Sequence, residues 1–211
     1  MQYGISILLS GISLGGQYAL IAIGYTMVYG ILRLINFAHG DVFMVAGLML
    51  VYLSASLPLA AAIPLMVLLT VLLGFIIERA AYKPLRTAPR MSVMISAIGL
   101  SYLLQNLATY VTGGLPQMYP ALPGLSNQLT IAGVSTKYVT VVTPVLVVLL
   151  VEALTQLINH TRIGMAMRAV SRDFETAQLM GIRINSVISV TFIIGSLLAA
   201  IGSLLYFTNY Q

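Results

Sequence analysis

Few side chains in this sequence could do chemistry. Its 211 residues include ten basic and five acidic side chains, two histidines and no cysteine. The histidines, His39 and His160, have no ligand-like spacing, and the acidic residues are too scattered to act as a general acid and base. A glycine-rich nucleotide-binding loop of the G-x-x-x-x-G-K-S/T kind is also lacking. The sequence therefore predicts no enzyme, no metal site and no cofactor bound by this chain.

The polar residues instead gather in a few stretches, of which residues 161–187 are the most charged. The charged residues of this stretch are Arg162, Arg168, Arg172, Asp173, Glu175 and Arg183. A charged insert between two long apolar runs cannot lie in lipid, so we expect it to project from a membrane surface. Docking on a soluble partner and a solvated connector between membrane helices are both compatible with it.

Local signals within this stretch predict a short helix. Asp173 is a suitable N-cap for a helix that begins at Phe174, and Glu175 suits the positive end of the helix dipole. Gly181 can end the helix in a left-handed conformation, and Asn185 can cap the next one.

One face of the short helix is small and mostly apolar. Phe174, Ala177 and Gly181 are three and four residues apart and therefore share that face. Such a face would suit insertion into a groove on another protein.

A second polar stretch, residues 33–41, interrupts the apolar first half of the chain. Asn36 and Asp41 are helix-capping types, and Gly40 permits a break between helices. The break could be a capped turn at the surface, or it could lie at membrane depth and line a cavity. His39 could act as a gate or proton relay, although a hydrogen-bonded place in a polar turn is the commoner role.

Further polar residues lie within an apolar run later in the chain, at Ser96, Gln105 and Asn106. Amide side chains are costly against lipid, so Gln105 and Asn106 should face protein or a watery path. Hydrogen bonds between helices and a lining of the path are both compatible with them.

The elements that position these residues are predicted to be membrane helices. The chain is 59% hydrophobic and 7% charged, with a mean hydropathy of +0.99, whereas soluble domains carry about 25% charged residues. Its apolar runs are continuous rather than alternating, which indicates an all-α integral membrane protein rather than a barrel. About six transmembrane helices are predicted, at 4–32, 42–57, 59–77, 92–111, 138–158 and 187–207.

The basic residues predict the orientation in the membrane. Eight of the ten fall in the loops after the third and fifth spans, which places both loops in the cytoplasm. Residues 112–137 then form an external loop, in which 128–134 could make a short strand or hairpin. Because the positive charge reports topology, a nucleic-acid partner is not predicted.

Four segments together resemble one family, the bacterial ABC-importer permeases for branched-chain amino acids of the LivH type. The segments are GMAMRAVSRDFETAQLMGIRINSVISVTF (164–192), YTMVYGILRLINFAHGDVFMVAG (25–47), IERAAYKPLRTAPRM (77–91) and ISAIGLSYLLQN (95–106). Arg33 departs from the small or polar residue expected at its position. The resemblance implies a single transmembrane permease domain over 1–211 with an ABC-importer permease-like bundle. It also implies that the chain lacks the family's C-terminal part.

The resemblance also implies roles for the polar stretches. The loop at about 161–187 would be a coupling loop that docks on an ATPase, through Arg172, Asp173, Phe174, Glu175, Ala177 and Gly181. A translocation path would be lined by Asn36, His39, Asp41, Ser96, Gln105 and Asn106.

The expected function is that of the transmembrane subunit of an importer that moves branched-chain or similar amino acids by alternating access. ATP would be hydrolysed by two separate ATPase subunits, and the chain would pair with a sister permease subunit. A periplasmic or lipid-anchored solute-binding protein would deliver the substrate at the bacterial inner membrane. A urea or short-chain amide permease and an ion-coupled secondary transporter are the alternatives.

Overall fold

The computed structural model describes residues 2–86, 88–131 and 134–210 of the chain. Its helices and strands, in chain order, are α1 (Gln2–Leu32), α2 (His39–Ser56), α3 (Leu59–Ile77), a π-helical turn (Glu78–Tyr82), α4 (Arg90–Thr112), β1 (Gln128–Ile131), β2 (Val134–Lys137), α5 (Tyr138–His160), α6 (Arg162–Arg172), α7 (Phe174–Leu179) and α8 (Ile184–Asn209).

Six of these helices, α1 to α5 and α8, are long and apolar enough to cross a membrane. This agrees with the predicted all-α membrane protein and with the number of predicted spans. The second span begins earlier than predicted because the helix continues through the polar residues His39 to Asp41.

Helix α8 forms the centre of the bundle and is the most buried of the spanning helices. It packs against α1, α2 and α3 through small side chains such as Ala199 and Ala200, which are fully buried. Glycine allows the closest approach, because a Cβ atom on Gly74 of α3 would overlap the Ser196 hydroxyl of α8. Without a hydrophobic force between helices in lipid, such close packing is what stabilises the bundle.

The loops lie at two ends of the bundle. At the end that we call the coupling end, Arg33 reaches residues 171 and 172, and Arg86 reaches Asn185. The two basic loops therefore share one end, as the sequence predicts. Whether this end is cytoplasmic stays a prediction.

The opposite end holds residues 113–131 and 134–137. The predicted hairpin is present there, with β1 antiparallel to β2 and Gln128 opposite Lys137. The Lys137 ammonium donates to the Asn209 carbonyl oxygen at 2.8 Å, which ties the hairpin to the end of α8.

Candidate coupling site and translocation path

The coupling segment, residues 161–187, begins with a sharp turn after α5. The Thr161 hydroxyl caps α6 by accepting a hydrogen bond from the Gly164 amide at 3.0 Å. A Cβ atom on Gly164 would lie 2.2 Å from the Ile158 carbonyl oxygen, so only glycine lets α6 fold back so closely on α5. Met167 and Val170 of α6 are buried, which turns one face of this helix toward the bundle.

Helix α7 begins where the sequence predicts. The Asp173 carboxylate accepts from the Glu175 amide at 3.0 Å and from the Thr176 amide at 3.1 Å, and the Thr176 hydroxyl also donates to it. Bonds from the Thr176 hydroxyl and amide hold the pKa of Asp173 below its usual range, with smaller contributions from the Glu175 amide and from Arg33.

Helix α7 also ends as predicted. Gly181 has φ +83°, the left-handed conformation that glycine adopts at a helix end. The predicted cap on the next helix is wrong, because α8 begins after Arg183 without a side-chain cap. The Asn185 side chain instead accepts a hydrogen bond from Arg86.

The predicted docking face of α7 is divided in the structure. Ala177 is only 4% exposed and packs into the same core as Val170 and Ile188, so it turns inward. The apolar side chains on the outside of α7 and its final turn are Phe174, Leu179 and Met180, of which the last two are 87% and 79% exposed. The surface available to a partner is therefore formed by these residues rather than by Ala177. The docking role of the segment stays a prediction.

One attachment of the coupling segment to the rest of the bundle is an ionic cluster around a buried carboxylate. We call Glu78, Arg86, Asn185 and Ser189 the Glu78 cluster. Arg86 forms an ion pair with Glu78 and donates to Asn185, and the Ser189 hydroxyl donates to Glu78 at 2.9 Å. The Glu78 side chain is completely buried. Burial lowers the pKa of Arg86, and the charge of Glu78 opposes that shift.

A second attachment is the Arg33 contact, in which this residue reaches the end of α6. Its guanidinium donates to the carbonyl oxygens of Ser171 at 3.3 Å and Arg172 at 3.4 Å. These bonds are solvent-exposed. Sequence reasoning missed both attachments, although the departure of Arg33 from the expected residue type was a signal.

The predicted path residues Asn36 and Asp41 make bonds between elements and do not cap a helix. The Tyr82 hydroxyl donates to Asn36 Oδ1 at 2.8 Å, and the Gln105 amide donates to Asp41 Oδ1 at 2.9 Å. Helix α2 begins after Ala38 without a side-chain cap. The capping interpretation of these two residues is therefore wrong.

His39 shows how deeply the stretch 33–41 enters the bundle. The imidazole is buried and packs against Gly24 of α1. The contact is so close that a Cβ atom on Gly24 would lie 2.7 Å from His39 Nε2. Gly24 lies eight residues before the end of α1, or about 12 Å along the helix. The stretch therefore starts at the coupling end, where Arg33 lies, and descends into the bundle.

The other two predicted path residues do not join this group. The Ser96 hydroxyl donates to the Ala81 carbonyl oxygen at 3.5 Å, beside the π-helical turn. The Asn106 amide donates to the Tyr102 carbonyl oxygen of its own helix at 2.7 Å and is exposed. The structure thus brings Asp41 and Gln105 together and leaves Asn106 on the outer surface of α4.

A cavity of about 710 Å³ opens next to Gln105, between α2, α4, residues 114–119 and the end of α8. Its walls are mostly apolar, with Met44, Leu48 and Phe207 among them, and Thr109 adds a hydroxyl. The volume lies within the usual range for small-molecule sites. Gln105 is the predicted path residue that lines it.

Comparison with known proteins gives the family. The model of the family described as branched-chain amino acid transport system / permease component matches residues 7–211. The chain is 38% identical to the permease protein BraD of Pseudomonas aeruginosa and 39% identical to the permease protein LivH of Salmonella typhimurium. Each of these matches covers 96% of this chain and 70% of the relative. The chain belongs to this permease family.

LivH of Escherichia coli, a further relative, is 38% identical over the same shares of both chains. The names of all three relatives describe them as high-affinity branched-chain amino acid transport system permease proteins. No solved structure matches the chain. The LivH-type resemblance read from the four segments is therefore confirmed, and the chain is a multi-pass membrane permease.

In this permease the stretch 33–41 connects the coupling candidates with the candidates for the translocation path. Residues 33–41 touch the coupling segment at Arg33, and they bond to the cavity-lining Gln105 at Asp41. The coupling candidates and the inner candidates of the path are thus adjacent in the fold, although they are far apart in sequence.

Proposed function

We propose that this permease is the transmembrane subunit of an ATP-binding-cassette importer that moves branched-chain or similar amino acids into the cytoplasm. The observation that carries this proposal is the short apolar surface of α7. Phe174, Leu179 and Met180 are exposed there beside the charged helix α6, at the end of the bundle that holds both basic loops. A surface of this kind fits a groove on a soluble partner better than it fits lipid.

The partner is proposed to be an ATPase, with two copies serving this chain and a sister permease subunit. ATP binding would close the ATPase subunits and move the coupling segment with them. The six-helix bundle would then open alternately to the two sides, with no ATP bound by this chain. We place the coupling end in the cytoplasm of a bacterial cell, with the chain in the inner membrane and surrounded by lipid.

A solute-binding protein is proposed to deliver the amino acid at the opposite end, near residues 112–137. The cavity beside Gln105 is the proposed first stop on the path. Its apolar walls suit an aliphatic side chain, and Gln105, which is bonded to Asp41, offers a polar group for the ammonium group. Asn36 and His39 would lie further along the path, toward the coupling end.

The test is uptake of labelled isoleucine into vesicles that hold the complex isolated through a tag on this chain. We expect uptake that requires ATP and that excess leucine or valine suppresses. Competition by urea or acetamide, with no effect of leucine, would instead indicate a urea or short-chain amide permease. Uptake that follows an ion gradient and persists without ATPase subunits would replace the mechanism with that of a secondary transporter.

A further inference from the structure

Arg33 has an unusual backbone conformation. Its φ of +53° makes it the one non-glycine residue with a positive φ among residues 2–86, 88–131 and 134–210. A long side chain in this left-handed region costs free energy that a glycine would not. Such strain persists only where the surrounding structure holds it in place, and it is often found at functional sites.

The contacts of the guanidinium explain what holds Arg33 there. Its two acceptors, the carbonyl oxygens of Ser171 and Arg172, belong to the last turn of α6. Carbonyl groups at a helix end lack partners within the helix and carry the negative end of its dipole. A guanidinium supplies both hydrogen bonds and positive charge to them, so the contact matches the needs of this helix end.

The position of this helix end relates the contact to the coupling segment. Asp173, the next residue, caps α7, and Phe174 begins the surface proposed to meet the ATPase. Arg33, Asp173 and Phe174 line the same small cavity. A displacement of α7 that carries the end of α6 with it therefore changes the distance between Arg33 and its acceptors, or moves Arg33 as well.

On the other side, Arg33 begins the stretch that descends into the bundle. That stretch is bonded to Tyr82 through Asn36 and to the cavity-lining Gln105 through Asp41. The irregular part of this stretch lies between Leu32, where α1 ends, and His39, where α2 begins. A displacement of Arg33 would therefore move the start of α2 rather than the middle of a helix.

We propose that Arg33 is a positioning residue for transport, which couples movement of the α6–α7 corner to the stretch 33–41 and so to the cavity beside Gln105. This inference rests on the proposed function, because it requires a partner that moves α7. Because its bonds are exposed and weak, the Arg33 contact can form and break during a transport cycle.

The test compares variants of Arg33 in the complex isolated through a tag on this chain. Arg33→Gly removes the guanidinium and suits the left-handed backbone, so it keeps the local fold. Arg33→Lys keeps the charge with a single ammonium in place of the planar fork. Arg79→Ala is the matched control, because Arg79 is a basic residue near the same end whose described partner is Phe75 of α3.

Three quantities are measured for each variant: recovery of the ATPase subunits, the rate of ATP hydrolysis, and the number of isoleucine molecules taken up per ATP. For Arg33→Gly we expect normal recovery and hydrolysis but roughly fivefold to tenfold less uptake per ATP, as the loss of about one ordinary hydrogen bond would give. Arg33→Lys should restore part of the ratio. Arg79→Ala should leave it unchanged.

The other outcomes each overturn the inference in a distinguishable way. An unchanged uptake ratio in Arg33→Gly would mean that the contact transmits nothing. Loss of ATPase recovery in this variant would place Arg33 in the docking surface instead, with the proposed function intact. Absence of ATPase subunits from the wild-type complex would remove the proposed function together with the inference.

Discussion

The Glu78 cluster and the Arg33 contact both hold the coupling segment, but they differ in burial and in charge. The Glu78 cluster holds the start of α8 with a buried ion pair and further hydrogen bonds from Arg86 and Ser189. The Arg33 contact holds the end of α6 with two long, exposed bonds from a strained residue. Buried charges are strongly destabilising when one partner is lost, whereas exposed bonds exchange readily with water. The difference indicates that the Glu78 cluster is a fixed contact and that the Arg33 contact is a releasable one.

The largest effect is expected from Glu78→Ala, which removes the acidic partner of the buried cluster. Arg86 would keep a partly buried charge without its counter-ion. Loss of one member of a fully buried pair costs about 3–5 kcal/mol, and because Arg86 is partly exposed we expect a loss near the lower end of that range, seen as a lower thermal midpoint in detergent.

Glu152→Ala is the matched control for this variant. Glu152 is exposed, and its described partner is the Gln156 amide of the same helix. Its loss should change the free energy of unfolding by less than about 0.5 kcal/mol. Equal midpoints for the two variants would contradict a fixed attachment at α8.

A second variant, Gly181→Ala, tests the turn that leads into the fixed end. A Cβ atom there meets nothing within 4 Å, so any cost comes from the positive φ alone. We expect a loss of about 1–2 kcal/mol for alanine in this conformation. Gly99 is the control, since it also has open space but lies within helix α4. Gly99→Ala should be neutral or stabilising in a denaturant titration, and a similar loss at both positions would refute the role of φ.

Arg33→Gly should have a small effect on stability, in contrast to Glu78→Ala. Relief of the left-handed backbone offsets the lost hydrogen bonds, so the net change should be within about 0.5 kcal/mol. Differential scanning of the purified permease measures this change. If Arg33→Gly unfolds the permease as readily as Glu78→Ala does, the two attachments are equivalent and the comparison fails.

Asp173 should stabilise α7 at neutral pH and lose this effect in acid. Its pKa is lowered in the folded chain, so the cap contributes fully above the ordinary pKa of about 4 and is lost as the pH falls through the lower, folded value. Hydrogen exchange at the Glu175 and Thr176 amides should therefore speed up in acid beyond the intrinsic rate change. Asp173→Asn should remove this extra pH dependence, and its persistence in that variant would assign it to another group.

The spans and the local turn signals could be predicted from the sequence. Continuous apolar runs define membrane helices by length alone, and the capping role of Asp173 and the left-handed Gly181 depend only on neighbouring residues. These features need no knowledge of the rest of the chain.

The errors come from contacts between residues far apart in sequence. Asn36, Asp41 and Asn185 have the residue types of caps, but each bonds to a side chain on another element. Ala177 shares a face with Phe174, yet the packing of α6 and α8 covers it. Nothing in the sequence singled out Glu78, because the basic residues of the same loop are explained by the orientation in the membrane. The burial of its charge depends on where α8 packs, which local patterns do not encode.

The central claim is that the outer surface of α7 binds an ATPase, and charge placed on that surface tests it most directly. Leu179→Asp combined with Met180→Asp adds charge where both side chains are exposed and make no core contribution. Met118→Asp, at a residue 93% exposed at the opposite end, is the control. We predict that recovery of ATPase subunits with the tagged permease falls at least tenfold for the double variant, while the control and the amount of permease in the membrane stay unchanged. Equal ATPase recovery for the double variant and the control would contradict the claim.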